Sequence, residues 1–285
     1  MSFVTLREIL ADCQREGWAV PAFDVINFET VIASLEGAAA ERAPVILMVL
    51  PSHTPLSQWP GLVALVRAQA ACLDLPVCLH LDHAINLEQV EAALDLGFSS
   101  VMIDGSTLPL AANISLTRQV VDAAHVRGVS VEAELGHVGG GDEVLDEVEA
   151  ASRLTPVGDA ARFVAETEID ALAVAIGTVH GLYRAEPKLD FERLAALRAS
   201  VPVPLVMHGG SGTPDQDIQR AIREGICKIN IWTEVSMAFA ATLKEQLSDP
   251  KAGHPLYKVM AAAQVTAQDM VQQKIRLLGA AGRVP

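Results

Sequence analysis

The chain has 285 residues, of which 51% are hydrophobic and 20% charged, with a net charge of −14. That much apolar material builds a sizeable core and excludes a disordered chain. A pI near 4.9 excludes the basic surface that nucleic-acid binding needs, although a local pocket can still attract an anion.

The cysteines, Cys13, Cys72, Cys78 and Cys227, form no Cys-x-x-Cys pair and read as small hydrophobes in a reducing compartment. The stretch Met1 to Glu8 has no basic segment followed by an apolar one. The run Val45 to Leu50 is too short to span a bilayer. The expectation is a soluble cytoplasmic protein with no membrane or nucleic-acid partner.

In chain order, short apolar runs predict strands at Ala19–Phe23, Val45–Val49, Val77–Leu81, Ser100–Ile103, Val129–Ala133, Ala171–Ala175, Leu205–Met207 and Ile226–Ile229. Most are apolar on both faces, as parallel strands buried between helices are. Helical spacing separates them at 29–36, 87–96, 113–125, 159–166, 191–199 and 215–224. Asn86 and the pair Thr213-Pro214 read as helix starts, and Gly97, Gly128 and Gly225 as helix ends. Residues 236–278 read as extra C-terminal helices packed outside the strands. Eight β–α units predict a (β/α)8 (TIM) barrel of the α/β class, one domain over residues 1–285. A doubly wound open sheet is the alternative. It usually carries a glycine-rich loop after its first strand, where this chain reads Ala22-Phe23-Asp24-Val25.

A barrel places its chemistry at the C-terminal ends of its strands. Asp82 and His83 fall after strand three, Asp104 at strand four, Glu134 at strand five, His180 beyond strand six, His208 at strand seven and Asn230 at strand eight. A single histidine near a strand end is usually a hydrogen-bonded rim residue. Three at equivalent ends, in a chain with eight histidines, point to a metal. Three imidazoles with an open fourth position suit catalytic Zn2+, while the carboxylates would also admit Mg2+ or Ca2+. His53, His125, His137 and His254 have no such support, and His80 reads as core or a support behind the ligands.

His208-Gly209-Gly210-Ser211-Gly212-Thr213 opens a helix after strand seven, and Asn230-Ile231-Trp232-Thr233 follows strand eight. Phosphate sites of barrels often lie there. Gly136-His137-Val138-Gly139-Gly140-Gly141-Asp142-Glu143 reads either as a surface loop or as a flap carrying a carboxylate.

Taken together, these segments resemble the class II, zinc-dependent fructose-bisphosphate and tagatose-bisphosphate aldolases over essentially the whole chain. The matching segments include His80-Leu81-Asp82-His83, Val131-Glu132-Ala133-Glu134-Leu135-Gly136, Gly177-Thr178-Val179-His180-Gly181 and Lys228-Ile229-Asn230-Ile231-Trp232-Thr233. The resemblance implies Zn2+ on His83, His180 and His208, and Asp82 as proton donor to the aldehyde oxygen. It implies a second or displaced metal at Asp104 and Glu134, and leaves room for a monovalent cation. Gly181, Gly209, Gly210, Ser211, Asn230, Ile231, Trp232 and Thr233 would hold dihydroxyacetone phosphate. Asp142, with Glu143 as neighbour, would move the carbon-bound proton. The family implies a homodimer or homotetramer acting on a small sugar phosphate.

The chain departs from the family at the aldehyde half. Asp24 stands where Asn is usual, and Leu50 where many members have Ser or Thr. His254-Pro255-Leu256-Tyr257 lacks the Arg that clamps a second phosphate, and Trp232 is unusual. A phosphate needs charge-assisted donors to replace its hydration. The expected reaction is therefore aldol cleavage of a ketose 1-phosphate to dihydroxyacetone phosphate and an unphosphorylated aldehyde, with Asp24 on the acceptor. The alternatives are a true fructose- or tagatose-1,6-bisphosphate aldolase, a metal-dependent sugar-phosphate epimerase or isomerase, and a non-catalytic partner subunit.

Overall fold

The computed structural model describes residues 3–140, 152–181, 187–248, 253 and 255–284. Eight parallel strands pair in chain order and close on themselves: β1 (Val20–Asp24), β2 (Val45–Val49), β3 (Val77–Ala84), β4 (Ser100–Ile103), β5 (Ser130–Leu135), β6 (Ala171–Val174), β7 (Leu205–Met207) and β8 (Ile226–Ile231). This is the expected (β/α)8 barrel, and β1–β8 pairing through Val20↔Lys228 and Ala22↔Asn230 excludes the open sheet. Runs such as Val45-Ile46-Leu47-Met48-Val49 are buried at every position, because the barrel interior lies on one face and the helices on the other.

Among the described residues, the helices are α1 (Leu6–Leu10), α2 (Cys13–Glu16), α3 (Phe28–Ala40), α4 (Trp59–Ala70), α5 (Leu87–Leu96), α6 (Leu110–His125), α7 (Val157–Thr167), α8 (Phe191–Ser200), α9 (Asp215–Arg223), α10 (Thr233–Gln246) and α11 (Leu256–Leu277). Asn86 caps α5 as expected, its side chain accepting from the Gln89 amide, and Gly97 closes it with φ +79°. The start of α9 differs from expectation. Pro214 is its N-cap, with no side-chain bond. The Thr213 hydroxyl donates instead to the Gly209 carbonyl at 3.1 Å, so it fixes the preceding loop.

The sequence reading passed over α1, α2 and α4. Thr5 and Glu8 form a reciprocal capping box, a Thr-x-x-Glu signal visible in the chain. Helix α1 buries Leu6, Ile9 and Leu10 and packs on β3 and β5. Its Arg7 pairs with buried Asp170, Nε to Oδ1 at 2.8 Å, which ties the N-terminal segment to the start of β6. At the other end of the chain, α11 packs on α3 and α10. Helices α3 and α11 approach closely because position 37 is glycine; a Cβ there would meet Val271 Cγ1 at 2.6 Å. Among the described residues, no helix is long and apolar enough to cross a membrane.

Candidate active site

Adjacent strand residues point to opposite faces, so Asp82 and His83 should not share a site. Both lie inside β3 rather than after it, and both line one cavity. The β3–β4 register shifts between Leu81 and Ala84, and His83 takes φ +45°. A bulge of this kind re-aims a side chain. A left-handed histidine is strained, and such strain persists where the surroundings over-determine it.

His83, His180 and His208 each offer a ring nitrogen, and those atoms lie within 4.8 Å of one another. The ring centroids are 5.0 Å apart for His83–His180, 4.6 Å for His83–His208 and 5.8 Å for His180–His208. His83, Asp104 and Glu134 form an overlapping group within the same limit.

Two of the three rings have an outer nitrogen with a partner, which sets the nitrogen that faces the cluster. His83 Nδ1 bonds Asp104 Oδ2 at 2.8 Å. His208 Nε2 bonds Glu132 Oε1 at 2.9 Å. Their remaining nitrogens, His83 Nε2 and His208 Nδ1, are buried without a hydrogen-bond partner. Such atoms are costly unless something occupies the site. The donor set of imidazoles backed by carboxylates fits Zn2+.

Burial and close packing strongly perturb these charges. Burial pulls His83 down, but Asp82, Asp104 and Glu134 outweigh it and hold the ring at about 10. Burial and the neighbouring His83 push His180 down to about 4. Burial lowers His208 and His80 far below the ordinary value. Burial, then Asp104, raises Glu134 to about 8. Burial and Asp82 also raise Asp24 well above the usual carboxylate range.

Glu132 and Lys228 are site residues that sequence reasoning missed. Both are wholly buried, and Lys228 Nζ lies 2.9 Å from Glu132 Oε2. Glu132 and Glu134 sit two apart in β5, hence on one face, which was the available signal. His80 stands behind the ligands, with Nδ1 on Ser100 Oγ at 2.8 Å and Nε2 3.7 Å from Glu132. Lys228 does not line the cavity.

The cavity has a volume of about 550 Å³. Of the expected substrate residues, Asp24, Gly181, Gly209, Ser211, Asn230, Ile231, Trp232 and Thr233 line it, as does Leu50. Gly210 is not among the lining residues. Its amide donates to the Asn230 carbonyl at 3.1 Å, so it joins the β7 and β8 loops. Gly209 has φ +70°, and a Cβ there would strike the Val179 carbonyl oxygen. Asn230 Nδ2 donates to Asp82 Oδ1 at 3.1 Å. His53, given no role by the sequence, lines the mouth.

The start of the 136–143 segment is anchored. The His180 amide donates to the Gly139 carbonyl at 2.8 Å, and the Val138 amide donates to Glu134 Oε1 at 2.9 Å. Asp142 and Glu143 lie outside the described residues.

Comparison with known proteins identifies the family and the fold. Residues 4–283 match the family model for class-II fructose-bisphosphate aldolase. The chain is 32% identical to the YdjI aldolase from Escherichia coli K12, with a TM-score of 0.88 and coverage of 99% of this chain and 100% of that one. It is 30% identical to a candidate fructose-1,6-bisphosphate aldolase from Coccidioides immitis, with a TM-score of 0.87 over 98% and 97% of the two chains. Fructose-bisphosphate aldolase from Campylobacter jejuni, 23% identical over 98% and 96% of the chains with a TM-score of 0.83, shares the fold. The chain belongs to the class II aldolase family, and so to the aldolase type of lyase.

Proposed function

We propose that this protein is a zinc-dependent aldolase that reversibly cleaves a ketose 1-phosphate into dihydroxyacetone phosphate and an unphosphorylated aldehyde. The convergence of three imidazoles beside Asp82, two of them with a buried nitrogen that lacks a hydrogen-bond partner, carries this reading. His83, His180 and His208 would hold the ion, with Asp104 and Glu134 available to a second or displaced one. When bound, Zn2+ supplies Lewis-acid stabilisation of negative charge on substrate oxygen.

The chain's own residues do the rest. Gly181, Gly209, Ser211 and the 230–233 segment hold the donor phosphate near the start of α10, where the helix favours an anion. A flap carboxylate, Asp142 or its neighbour Glu143, takes the C3 proton of dihydroxyacetone phosphate in condensation. Asp82, held by Asn230, gives a proton to the aldehyde oxygen as the carbon–carbon bond forms. In cleavage it takes that proton back from the C4 hydroxyl. No Lys is among the described lining residues, and Lys228 is buried against Glu132, so the described residues give a Schiff-base lysine no support.

For the acceptor half, Leu50 donates no side-chain hydrogen bond and Asp24 brings a carboxyl group. No Lys or Arg is among the described lining residues. These features favour an uncharged aldehyde over a phosphorylated one. The bisphosphate reading has the family's description in its favour. An aldehyde panel with dihydroxyacetone phosphate as fixed donor tests the proposal, together with loss and restoration of turnover on zinc removal and return. Activity that survives exhaustive metal removal defeats it.

A further inference from the structure

We infer that His53 and Trp232 form the wall that selects the acceptor aldehyde, and that they fit an uncharged, hydroxylated carbon chain longer than glyceraldehyde. This rests on the aldolase reading above and deepens its acceptor half.

His53 lies in the segment after β2, and Trp232 immediately follows β8. These strands flank β1, whose last residue is Asp24. Both rings line the cavity. Their centroids are 5.3 Å apart, with the planes tilted by 39°. His53 is exposed at the mouth and Trp232 is partly buried. Neither ring belongs to the barrel core, so packing inside the barrel does not account for the pair.

An aromatic face is the negative side of the ring quadrupole. It attracts C–H bonds polarised by neighbouring hydroxyl groups, which is how a carbon chain with alternating hydroxyls presents itself. Partial desolvation lowers the His53 pKa below the ordinary value, which favours the neutral ring and leaves a phosphate little counter-charge there. Asp24 and Ser52, which line the same side, are placed to bond the hydroxyls. A cavity of about 550 Å³ falls in the range that encloses ligands larger than a three-carbon phosphate and a two-carbon aldehyde.

The test uses metal-loaded full-length enzyme with saturating dihydroxyacetone phosphate. Initial rates are measured with glycolaldehyde, both enantiomers of glyceraldehyde, and both enantiomers of erythrose. In the wild type, kcat/KM should rise with chain length. His53→Ala should lower the erythrose-to-glycolaldehyde ratio of kcat/KM about tenfold, chiefly through the KM for erythrose. His53→Phe should hold that ratio within about threefold of wild type, because a flat ring is retained. A ratio unchanged in His53→Ala, or an equal loss with every acceptor, overturns the inference. Exchange of the C3 proton of dihydroxyacetone phosphate, measured without aldehyde, separates the two levels. Exchange with an unaltered ratio overturns this inference and leaves the aldolase reading standing. A wild type that neither exchanges nor condenses overturns the aldolase reading and this inference with it.

Discussion

Glu132 Oε1 accepts from His208 Nε2 at 2.9 Å while Lys228 Nζ lies 2.9 Å from Oε2 of the same carboxylate. One buried group thus fixes a ring orientation and balances a buried ammonium. Glu132→Gln should weaken zinc binding roughly 10–100-fold, the usual consequence of losing a carboxylate behind a ligating histidine. It should also destabilise the fold by about 3–5 kcal/mol, because Lys228 loses its counter-charge. Adding Lys228→Met should restore much of the stability but not the metal affinity. Zinc competition titration and denaturant unfolding read the two effects separately. Metal affinity recovered by the double variant would contradict the orienting role.

Metal and turnover should be lost together in His83→Ala, His180→Ala and His208→Ala. Purified enzyme should hold about one Zn2+ per chain, as expected of a site with three protein ligands. Chelation should abolish cleavage, and Zn2+ or Co2+ should restore it. Elemental analysis beside an aldol-cleavage assay checks this.

Proton transfer should separate from metal binding. Asp82→Ala should keep its zinc yet lose carbon–carbon bond formation by about 10²–10⁴-fold, the range for a general acid or base. Exchange of the C3 proton should survive better in that variant. Asp142→Ala should show the reverse, with exchange impaired. If Glu143→Ala alone impairs exchange, the flap base is Glu143.

Cys13, Cys78 and Cys227 are buried, and Cys72 is exposed. Burial raises the Cys13 thiol strongly and pushes Cys78 up to about 12 and Cys227 up to about 11. A thiolate is the reactive form, so a thiol reagent should label Cys72 rapidly in native protein and the others only after unfolding. Rapid native labelling of a second cysteine, seen by mass spectrometry, would contradict the packing.

Much of the barrel was legible because buried parallel strands write apolar runs into the chain, as at Val45–Val49. Strand ends were less so. Asp24, Asp82, His83, Glu134 and Asn230 are polar, yet they lie within β1, β3, β5 and β8, because the closed rim continues the ladder past the apolar run. The metal cluster could be read from strand-end histidines. The bulge that turns His83 inward could not, since the positive φ depends on how β3 meets β4. Glu132 looked like an ordinary strand residue until Lys228 and His208 were placed around it. His53 was invisible because no strand end marks it, and only the closed ring brings it to Trp232.

The substrate claim is tested most directly by comparing kcat/KM for fructose and tagatose 1-phosphates with their 1,6-bisphosphates on zinc-loaded enzyme. Hydrogen bonds to charged groups contribute about 1.5–3 kcal/mol each, and roughly 1.36 kcal/mol is tenfold in rate. The absence of a cationic donor for a second phosphate among the described lining residues should therefore make the bisphosphates poorer substrates by one or more orders of magnitude. Asp24→Asn combined with Leu50→Ser should narrow that gap. Bisphosphate cleavage with kcat/KM well above that of the matching 1-phosphates would contradict the account.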